Sequence, residues 1–342
     1  MLTFAILQNP GHNRVYFKAS RAMSSSELDH AGKKMDALPV NVREEILGGI
    51  PYLLFDSDTE LTEKDIDILS RLSFVYGIFK LTESDLLPEC ALIPIKKNPR
   101  YYFDSDDITT ILKYNGKTNE LFTRLMLNVA ISQTPFLDKP LTILDPMCGK
   151  GTTIFEGLLN GHNVCGVDIE SKIINEAYTF LKKYLETARF KHSTHQERQG
   201  MQNYTAVRNH VRLSRSKTDD PIEAELISGD TLDVRHFYRK NTFHLIVGDL
   251  PYGVQHGSSG GKKTKSRNAL PMVEQALPGW HRVLKPGGAL ALAWNLFLIK
   301  RNEIEDVLES GGFTLAMPRG DTSFVHRVDS AINRDLIVGV KL

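Results

Sequence analysis

The spacing of apolar and polar positions separates an irregular first part of the chain from a regular remainder. Up to residue 96, short apolar runs at Thr3–Gln8, Val15–Ala19 and Tyr52–Phe55 alternate with helix-like stretches near 24–37 and 62–80. In the later stretch Ile66, Leu69, Leu72 and Val75 or Tyr76 recur at helical spacing behind the polar start Thr62-Glu63-Lys64-Asp65, which predicts an amphipathic helix packed on a sheet. Residues 1–96 therefore read as a small α+β domain, with a ferredoxin-like arrangement among the options. From Lys96 the text turns to Lys-Lys-Asn-Pro-Arg, an aromatic pair, an acidic cluster and Asn115-Gly116, so 97–117 reads as a linker with at most one short helix.

Beyond Lys117 the pattern is regular. Leu121, Phe122, Leu125, Met126, Val129 and Ala130 form a broad helical stripe ahead of a strand at Leu141–Leu144. Further strands are legible at Asn163–Val167, Ala224–Ile227, His244–Val247, Ala289–Trp294 and Leu336–Val340, several with helical segments between them. This alternation predicts an α/β domain over 118–342, its mostly parallel sheet covered by helices on both faces and its ligands bound beyond the carboxyl ends of the strands. Pro278, inside the last long helical stretch, predicts a kinked or short helix there.

Composition adds limits. A formal charge of +1 leaves any nucleic-acid affinity to local patches. Three cysteines without paired or ligand spacing suit free thiols in a reducing compartment, with no metal site. The opening Met1–Leu7 run is too short for a secretory core, and no apolar run approaches a bilayer-spanning length, so a cytoplasmic protein with no membrane partner is expected.

Two stretches carry chemistry. Asp145-Pro146-Met147-Cys148-Gly149-Lys150-Gly151-Thr152-Thr153 follows the Leu141–Leu144 strand and opens a helix, and its glycines let main-chain N–H groups approach a ligand. The next strand ends in Asp168, roughly 20 residues on, where a carboxylate can accept ribose hydroxyls, and the one after ends at Gly229-Asp230. The loop lacks the full dinucleotide fingerprint, and Lys150 lies between the glycines, which excludes a Walker loop. Downstream, the strand Phe243–Gly248 terminates in Asp249-Leu250-Pro251-Tyr252-Gly253. An exocyclic base amine is a poor nucleophile, so attack on a sulfonium methyl needs acceptors for its N–H bonds. The Asp249 carboxylate and the Leu250 carbonyl can supply them, Pro251 stiffens the turn, and Tyr252 offers a face for stacking.

Together with the turn Leu284-Lys285-Pro286-Gly287-Gly288, these motifs resemble class I S-adenosylmethionine-dependent methyltransferases of the Asp/Asn-Pro-Pro-Tyr type, over most of 118–342. Asp-Pro-Met-Cys-Gly-x-Gly-Thr-Thr and Asp-Leu-Pro-Tyr-Gly are most similar to the THUMP-associated tRNA guanosine-N2 methyltransferases, although no THUMP module is legible in the first 96 residues. Leu250 stands where the commoner tetrad has its first proline, which keeps the carbonyl. The resemblance implies a Rossmann-like sheet and S-adenosyl-L-methionine as cofactor. Asp145, Gly149 and Gly151 would surround its methionine part, with Met147, Cys148, Thr152 and Thr153 in the same loop. Asp168 with Ile169 would hold the ribose side, Asp230 and Thr231 would border the adenine, and Asp249 would face the target amine. The helix from Thr118 to Ser132 would close over the cofactor.

Basic segments complete the sequence picture. Between Lys182 and Lys217 nine Lys or Arg residues stand against two Glu, with His192, His195, His210 and Tyr204 interspersed; this insertion suits RNA phosphates and bases, or is a solvated helical extension. A second stretch, Gly260–Arg267, reads as a mobile lid beside Tyr252. The expected activity is methylation of the N2 amine of guanosine in RNA, with tRNA as partner and the N-terminal domain helping to dock it. The alternatives are an adenine-N6 DNA or RNA methyltransferase, a protein-glutamine methyltransferase, or a catalytically silent RNA-binding protein of the same fold.

Overall fold

In the computed structural model, described here for residues 1–9, 14–82, 90–97, 102–103, 105–114, 116–137, 140–216, 218–252 and 268–342, the apolar runs close into two sheets. Met1–Arg100 forms one compact unit and Tyr101–Leu342 a second.

The first unit runs β1 (Leu2–Gln8), α1 (Arg14–Gly32), β2 (Val40–Leu47), β3 (Ile50–Ser57), α2 (Glu63–Arg71), β4 (Val75–Thr82) and β5 (Ala91–Ile95). Its antiparallel sheet has the order β2-β3-β1-β4-β5, a ferredoxin-like β-α-β-β-α-β progression with β5 added at the edge. A capping box starts α2: Thr62 Oγ1 accepts from the Asp65 N–H and Asp65 accepts from the Thr62 N–H. Two expectations are corrected. Val15–Ala19 lies inside α1, and the helix expected over 62–80 stops at Arg71, after which Val75 enters β4. Val75 and Ile78 are both buried three residues apart, a spacing that an irregular strand shares with a helix; the β1–β4 register shifts between Leu7 and Gln8, the partner of Val75.

The second unit begins with α3 (Asp107–Thr110), α4 (Glu120–Ser132), β6 (Thr142–Asp145), α5 (Thr152–Leu159), β7 (Asn163–Asp168), α6 (Ser171–Thr187), β8 (Lys191–Gly200), β9 (Thr205–Ser214) and β10 (Ile222–Ser228). It continues through α7 (Val234–Phe237), β11 (Phe243–Asp249), α8 (Leu270–Val283), β12 (Leu284–Asn295), α9 (Arg301–Ser310), β13 (Thr314–Leu315), β14 (His326–Arg327) and β15 (Asn333–Val340). The sheet order is β13-β15-β12-β11-β6-β7-β10-β9-β8, with β14 on β15. From β10 to β12 the pairing is parallel, and antiparallel strands extend both flanks. One face packs against α8 and α9 through Trp280, Val273, Ile304 and Leu308, the other against α5 and α6 through Phe155, Leu158, Ile174 and Leu181. This is the Rossmann-like sheet expected. The strand order reverses between β6 and β11, so the loops that follow these two strands open into one crevice.

Three further expectations change. The stretch read as linker is not free chain beyond Arg100: Tyr102 donates its N–H to Leu159 O, and Phe103 and Ile108 are buried beneath α5 and α6 residues. Tyr102 and Phe103, read as part of the linker, are core contacts. The insertion between the second and third parallel strands is largely the antiparallel hairpin β8–β9, paired to β10 along the sheet edge, rather than a helical extension. Of the kinked or short helix expected at Pro278, the shortness is not found: α8 runs 14 residues through Pro278, because its apolar face, Val273, Ala276, Leu277 and Trp280, is fully buried.

Candidate active site

The loop after β6 is built by hydrogen bonds that its sequence dictates. Gly149 (φ +51°) and Gly151 (φ +90°) take left-handed backbone conformations that side chains resist. Asp145 accepts from the Met147 N–H at 3.0 Å, Cys148 N–H reaches Val167 O at 3.0 Å, and Gly149 N–H reaches an Asp168 oxygen at 2.9 Å. The loop therefore lies across the end of β7. Its close approach requires Gly166 in that strand, where a Cβ would stand 2.7 Å from Cys148 Sγ. Asp168 also accepts from the Glu170 N–H, and its carbonyl receives Gly229 N–H, which brings the end of β10 alongside. There Asp230 caps the turn by accepting from Leu232 N–H at 3.0 Å, and Trp280 donates its indole N–H to Thr231 at 3.1 Å.

These residues suit S-adenosylmethionine. A Cβ placed on Gly149 would meet nothing within 4 Å, so there is open space at the glycine turn. Ile169 is 66% exposed beside Asp168, an apolar surface where a nucleoside can lie. The cation would meet acidic surroundings: burial, opposed by the Met147 N–H and assisted by Asp168 and Asp249, raises the Asp145 carboxyl to about 7.

Across the crevice, β11 ends in the predicted tetrad. A Cβ on Gly248 would lie 3.4 Å from the Met147 methyl and 3.6 Å from Pro146, which fixes how near Asp249 comes to the glycine loop. Leu250 is buried, and its N–H is bound by Ala293 O at 2.8 Å, so the chain leaves the strand in one direction. Asp249 is partly exposed at 16%. Thr118 donates its hydroxyl to one carboxylate oxygen at 2.5 Å, Tyr252 donates to the other, and Arg334 stands 3.8 Å away. Tyr252 is thus tied to Asp249 through its hydroxyl. The Arg334 guanidinium lies 5.0 Å from its ring centroid and 4.8 Å from that of Phe122, and burial with the adjacent Asp249 pushes the phenol well above its ordinary range.

Sequence reasoning missed three contributors. Tyr114, placed in the linker, hydrogen-bonds Thr152 at 3.1 Å and carries Lys150 5.0 Å over its ring, while Lys150 pairs with Glu176 at 2.8 Å. Thr118 is held next to Asp249 by the start of α4, where Asn119 accepts from Leu121 and Phe122 N–H. Arg334 comes from β15. Tyr114 and Arg334 are single residues from distant segments with no motif around them, and Thr118 opens the helix expected to close over the cofactor but has no motif that ties it to Asp249. Tyr204, expected among the base-stacking aromatics, instead binds Asp230 and Asp233. The Gly260–Arg267 segment lies outside the described residues.

Residues 119–299 match a family model described as RMKL-like, methyltransferase domain. No curated protein matches the sequence. Among solved structures the chain is similar to a putative rRNA-methylase from Clostridium thermocellum, at 16% identity over 66% of this chain and 99% of that one with a TM-score of 0.40. It is also similar to a SAM-dependent methyltransferase from Methanosarcina mazei, at 18% identity over 60% and 95% of the two chains with a TM-score of 0.38. A TehB-like SAM-dependent methyltransferase from Corynebacterium glutamicum aligns at 17% identity over 60% and 83%, with a TM-score of 0.35.

Proposed function

The chain belongs to the RMKL-like methyltransferase domain family, and from that premise we propose that it methylates the exocyclic N2 amine of guanosine in RNA, with tRNA as the substrate. One observation carries the reading: an Asp249 carboxylate at the strand-order reversal whose two oxygens are each occupied by a hydroxyl donor, from Thr118 and Tyr252. An exocyclic amine also brings two N–H donors, so the base can take over the acceptors that the hydroxyls hold.

S-adenosylmethionine supplies an electrophilic methyl group when bound. By accepting the N–H bonds of the incoming amine, Asp249 draws their hydrogens toward itself and shifts electron density onto the nitrogen, and it can take the proton that the amine gives up once the methyl is transferred. The Arg334 guanidinium stands beside that carboxylate, and its stacking on Phe122 and Tyr252 keeps that wall rigid. The exposed Lys191, Arg198 and Arg212 on the β8–β9 hairpin supply cations for RNA phosphates. No described helix is long and apolar enough to cross a membrane.

The test is incubation of the whole chain with methyl-labelled cofactor and total tRNA, followed by nucleoside analysis. N2-methylguanosine is the expected product. Label in adenosine would move the assignment to the N6 amine, and label in DNA alone would overturn the RNA reading.

A further inference from the structure

The β8–β9 hairpin does more than extend the sheet. Both β8 and β10 run antiparallel to β9, so β8 points the same way as the parallel strands, and its turn emerges at the carboxyl edge of the sheet. That turn, closed by Met201 N–H on Tyr204 O at 2.8 Å, comes out beside the segment that follows β10. The Tyr204 hydroxyl accepts from the Asp230 N–H at 2.9 Å and donates to the Asp233 carboxylate at 2.8 Å. Gln199 and Arg208 add side-chain bonds to the carbonyls of His236 and Phe237. The Asp230 side chain itself is turned to cap Leu232, so its main chain depends on Tyr204 from outside the turn.

We propose that Tyr204 is a positioning residue for the cofactor: through its hydroxyl the hairpin sets the conformation of the Asp230–Asp233 turn against which the adenine lies. The inference rests on the reading that Asp230 and Thr231 border the adenine. Trp280 holds the same turn through Thr231, so the turn is gripped from both sides and its shape is fixed before cofactor arrives. Burial, partly offset by the Asp230 N–H, pushes the Tyr204 hydroxyl up to about 12, so the strut keeps its proton throughout the neutral range.

Tyr204→Phe keeps the ring and removes both bonds. Calorimetry on the whole chain is expected to show S-adenosylmethionine binding weakened about tenfold, equivalent to about 1.4 kcal/mol. In turnover the KM for cofactor rises by a similar factor while kcat at saturation stays within about twofold, a split that a general loss of folding does not produce. Asp233→Asn, which weakens the acceptor but leaves the tyrosine, is expected to shift affinity in the same direction by less. Asp230→Ala serves as the reference. If Asp230→Ala weakens cofactor binding and Tyr204→Phe leaves it within twofold of the native value, the role of Tyr204 is overturned alone. If neither variant weakens binding, the placement of the adenine falls with it.

Discussion

Asp249 and Asp145 face the same crevice, yet their surroundings give them opposite tasks. Asp249 is partly exposed and meets two hydroxyls and a guanidinium, whereas Asp145 is buried under the glycine loop. Asp249→Ala is expected to lower kcat by at least about 100-fold, in the range seen when one electrostatic group is removed from a reaction centre, with cofactor affinity within about threefold by calorimetry. Equal loss of both in a folded variant would contradict its placement on the acceptor side. Asp145 predicts a pH effect. Its folded pKa, about 7, lies above the ordinary carboxylate value, so the stability it confers is full at acid pH and is lost as pH rises through about 7. A bound sulfonium cation favours the ionised form. Affinity for S-adenosylmethionine should therefore rise as pH increases from about 5 to about 7, with proton release on binding. Calorimetry in buffers of different ionisation enthalpy measures that release, and S-adenosylhomocysteine, which lacks the sulfonium charge, should release fewer protons. At this scale the motif acids were legible because each ends a strand in a contiguous pattern. Tyr114, Thr118 and Arg334 were not, since only folding gathers them.

Among the elements, α4 carries the most consequence, because its first turn follows Thr118 and its body is fixed to α5 by a buried ion pair. Arg124 Nε lies 3.0 Å from Glu156, with side-chain exposures of 2% and 0%. Such a pair adds little over apolar packing, but breaking it strands a charge in the core. Arg124→Met is expected to cost about 3–5 kcal/mol in urea denaturation, and the double variant Arg124→Met/Glu156→Leu to recover most of that. The single variant should also lower kcat, as α4 loosens beside Asp249; unchanged stability would show that the pair is not what fixes the helix. The helix was legible from Leu121, Phe122, Leu125 and Met126, but its tie to α5 was not, since a charged residue in an apolar stripe shows no partner in sequence. The β8–β9 hairpin escaped for a related reason. As a sheet-edge extension it exposes most of β8, so Lys191–Gly200 shows almost no apolar alternation, the signal by which a strand is read.

For the molecule as a whole, the division of labour follows from where the chemistry sits. The glycine loop, Asp168, Asp230, Asp249 and the missed Tyr114, Thr118 and Arg334 all fall within Tyr101–Leu342, which closes both faces of its own sheet with its own helices. The sequence boundary near 96 and the observed one at Arg100 differ little in position but much in meaning, because the stretch after it is packed beneath α5 and α6 rather than strung between domains. Residues 101–342 produced alone should therefore fold cooperatively and bind S-adenosylmethionine within about threefold of the full chain, because every candidate cofactor residue named above lies within them. On the proposed RNA activity, a net charge of only +1 would leave affinity for folded RNA to local surfaces. Removing residues 1–100 is expected to lower kcat/KM on tRNA by at least about tenfold, a loss of roughly 1.4 kcal/mol in transition-state stabilisation, while cofactor binding holds. Full activity of the isolated second unit on tRNA would remove the first unit from substrate docking and assign the recognition to the hairpin and its neighbours.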